Sequence, residues 1–314
     1  MGTEQVSDIG NDSIVGPVCF IGLGRMGFPM AKHLVDAGVQ VYGFDSNAIT
    51  RARFAQSTGA KGEVGLREMA SRSQVVITML PTSQIVRSVL VGETNLAAYL
   101  APETVVVDMG TSDPIETQRL SSDLALRSIE LIDAPVAGGV VFAEDGTLDI
   151  LTGGRREIVD RLEPLFNTIG RRTFYCGTIG SAHAMKALNN FVNAAVMSVY
   201  MEALIAGKRF GLGERVMRQA LEVATLDRNH PYSKKIKTQV FPRAFNSQMA
   251  LGLIAKDLHI SSSLGKSINL EMPIADAVSD LWDRAAEELG HDADQTELIR
   301  YWEKRAELEL GSDS

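Results

Sequence analysis

A chain of 314 residues is long enough for two domains, and 45% hydrophobic with 22% charged residues is the balance of an ordinary globular protein. The formal net charge of −8 argues against a nucleic-acid surface, which needs a clustered excess of Lys and Arg that no segment shows; small molecules are the expected partners. The two cysteines, Cys19 in an apolar run and Cys176 before a Gly-rich turn, are too far apart for a CxxC site. Neither disulfide nor metal chemistry is expected of them, and a reducing, cytoplasmic setting fits.

Residues 1–16 are polar and acidic, lack the basic and apolar regions of a secretory signal, and read as a loose tail. Val6 stands where a myristoylation motif at Gly2 needs Ser or Thr. No apolar run reaches the roughly 18 residues of a membrane span, so no membrane partner is expected.

From residue 17 the pattern is strand, tight turn, helix. Val18 to Ile21 is a short apolar run; Gly22-Leu23-Gly24-Arg25-Met26-Gly27 follows at once; Met30, Leu34 and Val35 then repeat at helical spacing up to Gly38. Such a turn aims unpaired N–H groups of the helix N-terminus at whatever lies above it, and its glycines let a pyrophosphate approach the backbone. A lone GxGxxG is a weak signal. Here a second strand, Val39 to Phe44, ends in Asp45, 21 residues after Gly24, where a carboxylate can accept both ribose hydroxyls of an adenosine and repel a 2′-phosphate. NAD is therefore the expected cofactor.

The alternation continues through Gln74 to Leu80, stopped by Pro81, and Thr104 to Met109, stopped by Gly110-Thr111. Continuous Val and Ile runs between helical segments indicate parallel strands covered on both faces, and loops at their carboxyl ends form a ligand crevice. Leu80, Pro81 and Thr111 are expected beside the cofactor, and Thr111 also reads as an N-cap upstream of Pro114. Leu131 to Val136 runs into Ala137-Gly138-Gly139, whose exposed amides could hold a carboxylate; a plain turn is the alternative. A β-rich segment to Gly154 and a strand-like run from Arg171 to Cys176 complete a dinucleotide-binding domain over 17–179.

Composition changes near residue 180, and the helical domain predicted for 180–314 holds no further convincing strand. Its first helix carries no charge between Lys186 and Glu202. Met185, Leu188, Val192, Val196 and Val199 form one apolar stripe, while Lys186, Asn189, Asn190 and Asn193 gather beside it in an arc of about 100°. A lysine there either snorkels to water, pairs with a carboxylate or faces a polar cavity, and Asn190 projects onto its face one turn away. Further on, His230 to Ser233 reads as an interruption and Phe241 to Phe245 as a loop. Lys256 and Asp257, adjacent on an apolar helix, are expected to point apart: Lys256 toward the cofactor, Asp257 toward a cap or a neighbouring chain. The five histidines show no ligand spacing and read as surface or boundary residues; no metal site is expected.

Together FIGLGRMGFPMAKHL at the start, DAPVAGGVVFAEDGTLDILTGG, GSAHAMKALNN and the late KDL at 256–258 resemble the β-hydroxyacid dehydrogenase family over roughly residues 17–290. The resemblance implies a Rossmann-type doubly wound first domain, an all-helical second domain, and dimers or tetramers built through the latter. It implies Lys186 as the catalytic acid/base, Asn190 and the Ala137-Gly138-Gly139 stretch on a small hydroxy acid or semialdehyde, and Lys256 near the cofactor. The family's usual serine before the Gly pair is Ala137 here, which leaves the substrate open, and Gly110 replaces a serine before Thr111. The alternatives on the same fold are an imine reductase, which typically lacks this lysine, and a non-catalytic cofactor-binding protein. Phosphogluconate-decarboxylating relatives are longer and carry a histidine where Asn189 stands.

Overall fold

The computed structural model describes residues 16–59, 65–210, 212–224, 232–267 and 273–311. Residues 1–15 of the expected tail, and His230 and Pro231, lie outside them. The chain divides into two compact units, Met1–His183 and Ala184–Ser314.

In the first unit β1 (Val18–Ile21), α1 (Gly27–Asp36), β2 (Val41–Phe44), α2 (Ala48–Thr58), α3 (Leu66–Ser71), β3 (Val75–Thr78), α4 (Ser83–Leu90), β4 (Val105–Asp108), α5 (Pro114–Ala125) and β5 (Glu130–Asp133) alternate. Then come β6 (Val136–Ala137), α6 (Val140–Glu144), β7 (Leu148–Gly153), α7 (Arg156–Ile169) and β8 (Gly170–Gly177). The sheet order is β2-β1-β3-β4-β5-β7-β6, with β8 on β7. The first five strands pair in parallel, and their Val- and Ile-rich cores are buried on both faces, as helices on each side require. β7 runs antiparallel to β5 and β6, because the link from β6 holds only the five-residue α6, too short for a parallel crossover. Cys19 of β1 is fully buried, and burial pushes its thiol up to about 12.

The second helical set is α8 (Ser181–Phe210), α9 (Glu214–Ala224), a π-helical segment (Tyr232–Val240), α10 (Leu251–Ser267), α11 (Pro273–Leu289) and α12 (Leu298–Ala306). Tyr232 and Ser233, expected in an interruption, open the π-helical segment. Met197, Met201, Leu204, Ile236, Leu258 and Trp282 are among its core, and the Trp282 indole N–H donates to Ser198 Oγ at 2.8 Å. The apolar stripe expected on α8 needs correcting. Met185 and Val192 are 44% and 56% exposed, Leu188 and Val196 are half-buried, and the buried line is Ala187, Ala194, Met197, Met201 and Leu204. Periodicity could not tell the two apart because α8 is apolar on both sides, and small alanines mark the face that packs closely. The side chain of Val199 lies outside the described ones.

Candidate active site

The carboxyl ends of β1, β3 and β4 meet where the strand order reverses between β1 and β3, the place in such sheets where ligands bind. Each glycine of the Gly22–Gly27 turn has its own reason. Gly22 holds φ +100°, and a Cβ there would fall 2.3 Å from the Met79 carbonyl. Gly27 lets α1 approach β1: a Cβ would lie 1.9 Å from the Gly22 carbonyl oxygen. A Cβ on Gly24 would meet nothing within 4 Å, so the space above the turn is open to a pyrophosphate. Leu23 is buried beneath it, whereas Gly24 and Arg25 are exposed and Met26 half-buried. Asp45 Oδ2 accepts the Leu23 N–H at 2.9 Å, which brings the acid at the end of β2 to the turn after β1. Leu80 and Pro81 follow β3, and a Cβ on Gly110 would sit 2.7 Å from the Leu80 carbonyl oxygen, so the loop carrying Thr111 lies against them. These features fit a dinucleotide: a cradle that side chains would fill, and an acid at the ribose position.

Thr111 is not the N-cap of α5. Asp113 takes that role, its Oδ1 accepting from the N–H groups of Ile115 at 2.8 Å and Glu116 at 3.1 Å, while Thr111 is half-buried upstream. At the end of β6, Gly138 and Gly139 hold φ +132° and +85°, and a Cβ on Gly138 would meet the Phe142 side chain at 2.8 Å. Both φ values are ones that glycine adopts without strain, and Gly138 is exposed with Gly139 half-buried beside the half-buried Ala137.

A buried polar network absent from the sequence reading closes this end of the sheet. Asp108 accepts from Thr78 Oγ1 at 3.0 Å, Ser112 Oγ at 2.6 Å and the Gly110 N–H at 3.2 Å. Asp133 accepts the N–H groups of Gly180 and His183, both at 2.9 Å, satisfying donors at the start of α8. His183, expected at a surface or boundary, is fully buried, its Nδ1 2.8 Å from Thr117 Oγ1 and its Nε2 3.7 Å from Asp108. Buried acids that each take several donors leave no periodic trace in a sequence.

In the second unit the structure gathers Lys186, Asn190, Lys256 and Asp257. Asn190 Nδ2 donates to Asp257 Oδ2 at 2.6 Å, and Lys256 Nζ stands 2.9 Å from Asp257 Oδ1. The expectation that Lys256 and Asp257 point apart is therefore wrong: the long lysine stem folds back to the neighbouring carboxylate. Lys186 is half-buried and has no hydrogen-bond or ion-pair partner among the described residues. Desolvation lowers its pKa from the ordinary lysine value; the Asp257 charge opposes that shift and the Lys256 charge adds to it. Lys235, which sequence reasoning passed over, donates to Gln295 Oε1 at 2.8 Å, and its pKa is pushed down to about 8 by desolvation, with the Asp294 charge opposing and the Lys186 charge adding. Its place on a π-helical turn gives no period by which to find it.

Residues 17–177 match the family described as the NAD binding domain of 6-phosphogluconate dehydrogenase. Residues 180–302 match the family described as NAD-binding of NADP-dependent 3-hydroxyisobutyrate dehydrogenase. The chain is similar to 2-(hydroxymethyl)glutarate dehydrogenase of Eubacterium barkeri, 31% identical over 91% of this chain and 94% of that one. It is also similar to 2-hydroxy-3-oxopropionate reductase of Escherichia coli (strain K12), 29% identical over 93% and 98%. Among solved structures, 3-hydroxyisobutyrate dehydrogenase of Mycobacterium tuberculosis with L-serine superposes with a TM-score of 0.81 at 26% identity, over 91% of this chain and 99% of that one. A match running through both halves, at 31% identity over 91% of the chain, means that this protein belongs to the β-hydroxyacid dehydrogenase family of nicotinamide-dependent oxidoreductases.

Proposed function

We propose that the protein is an NAD-dependent dehydrogenase interconverting a small 3-hydroxy carboxylate and its semialdehyde, with Lys186 as the acid/base. The observation that carries this reading is the Lys186 ammonium, desolvated and without a partner among the described residues. A lysine held that way releases its proton more readily than one in water, which suits a group that must both give and take one. The bound nicotinamide supplies or takes up the hydride. Lys186 donates a proton to the substrate oxygen as negative charge builds there in reduction, and recovers it from the hydroxyl in oxidation. Asn190, fixed by Asp257, orients that hydroxyl; the amides of Gly138 and Gly139, beside Ala137, hold the carboxylate. Gly22 to Gly27, Asp45, Leu80, Pro81 and Thr111 seat the cofactor, with Lys256 at its nicotinamide end.

The substrates in the relatives' names, 3-hydroxyisobutyrate and 2-hydroxy-3-oxopropionate, support this class. No helix among the described residues is long and apolar enough to cross a membrane. The unpaired thiols of Cys19 and Cys176 fit the reducing, cytoplasmic setting proposed for the chain. Lys186→Ala is expected to lower kcat by at least about a hundredfold while NADH affinity and Tm stay near wild type. Turnover retained on the best substrate would reject the role, and a Tm that fell with the activity would make the lysine a fold anchor instead.

A further inference from the structure

α6 is a helix of five residues that begins directly after Gly138 and Gly139. A helix so short is not stable through its own hydrogen bonds, so what holds it must come from elsewhere in the fold. Gly139 at its start has no side chain to cap it, Val141 is 56% exposed, and Ala143 is its one fully buried side chain. Phe142 packs against the glycine pair, since a Cβ on Gly138 would lie 2.8 Å from its own Cβ. The placing of that pair therefore follows the placing of α6.

At the other end of α6, the Glu144 carbonyl receives no backbone N–H among the described residues. His33, in the last turn of α1, supplies the donor: its Nε2 stands 2.8 Å from that oxygen, and because a carbonyl only accepts, the imidazole carries a proton on Nε2. The ring also lies against the following turn, where Gly146 holds φ +65° and a Cβ would fall 3.2 Å from the imidazole Cε1. Side chains commonly satisfy the orphan carbonyls of a helix end, but this cap comes from another helix, 111 residues earlier in the chain. That helix, α1, opens at Gly27 of the cofactor turn. His33 thus joins the helix that starts at the cofactor to the one that follows the glycine pair.

We propose that His33 is a positioning residue of the substrate site: its bond to Glu144 fixes α6, and through α6 the Gly138–Gly139 loop, against the cofactor helix. This rests on the dehydrogenase reading given above, in which that loop holds the substrate carboxylate. The bond lies outside the proton transfer assigned to Lys186, so its loss acts on substrate binding and leaves turnover alone. One net hydrogen bond amounts to a factor of about three to ten in an equilibrium.

The test uses the full chain with saturating NAD and, as substrate, the faster of 3-hydroxyisobutyrate and 2-(hydroxymethyl)glutarate. His33→Leu, which keeps bulk against Gly146 without a donor, is expected to raise substrate KM by about threefold to tenfold, with kcat within about twofold of wild type and NADH affinity unchanged. His33→Gln, whose amide N–H reaches as far as Nε2, is expected to restore most of the KM. A rise below about threefold in His33→Leu, no rescue by His33→Gln, or NADH affinity lost along with the rise overturns the proposal. If His33→Leu loses its thermal transition, His33→Ala carries the same comparison. Hydrogen exchange of the Ala143, Asp145 and Thr147 amides, which bond within α6 and its turn, is read in the same proteins and does not depend on turnover. Faster exchange in His33→Leu with an unmoved KM overturns the proposal and removes the glycine pair from the substrate site. Should wild type oxidise neither compound, exchange decides alone: faster in His33→Leu and restored in His33→Gln, it keeps His33 as the residue that positions the loop while the dehydrogenase reading falls. Equal exchange in all three proteins rejects it.

Discussion

Both carboxylate oxygens of Asp45 accept backbone N–H groups, from Leu23 at 2.9 Å and from Asn47 at 2.8 Å, so the side chain is fixed at the end of β2. A 2′-phosphate at the ribose edge would meet this charge at close range. Arg51, unnoticed in the sequence because it lies one turn into α2, is the cation nearby; its guanidinium donates to the carbonyls of Asp45 and Ser46 and lies over the Phe44 ring. With Nη1 held by the backbone and the Asp45 charge at the ribose edge, we expect NAD to be favoured, and Asp45→Ser to shift the NAD/NADP ratio of kcat/KM toward NADP by about tenfold or more, the equivalent of about 1.4 kcal/mol. Equal efficiencies with both cofactors in wild type would remove Asp45 from this role. The places of Asp45, at the end of β2 against the Gly-rich turn, and of Lys186, on α8, were legible in the sequence because their signals are local: a spacing from that turn, and an uncharged helix with one lysine. His183, Lys235 and the pairing of Lys256 with Asp257 were not, because each is defined by residues distant in the chain or by the reach of a flexible side chain.

The turn between β1 and α1 separates structure from binding within six residues. Gly27→Ala would place a methyl 1.9 Å from the Gly22 carbonyl oxygen and 3.0 Å from the Phe20 ring, so α1 must move off the sheet. Overpacking of this kind costs about 1–3 kcal/mol. Gly24→Ala meets no protein atom within 4 Å and fills only the space left for the cofactor. We expect Gly27→Ala to lower Tm by several degrees, Gly24→Ala to leave it nearly unchanged, and both to weaken NADH binding, as scanning calorimetry and fluorescence titration would show. Loss of stability in Gly24→Ala, or full NADH affinity in either, would contradict the division. At this scale the strands were readable, since four-residue Val and Ile runs bounded by Gly or Pro have few other uses. The buried face of α8 was not, for alanines carry little hydrophobic contrast and only their neighbours show which line packs.

Met185 and Val192 on α8, and Val216 on α9 with Leu212 just before it, expose between 44% and 62% of their surface, apolar area that a second copy of the chain could cover. Association through this unit into a homodimer or homotetramer is therefore expected, and light scattering at micromolar concentration should give a multiple of 34.0 kDa. A monomer would count against it. Cys19 has a different consequence for the assembled protein. Set in β1 between β2 and β3, it is closed to solvent, and a thiol whose pKa stands near 12 offers almost no thiolate to an alkylating reagent. Its modification then waits on separation of the central strands. The rate at which iodoacetamide captures this one sulfur is a built-in clock for opening of the sheet, and its slowing on addition of NADH would measure how far the cofactor holds those strands together.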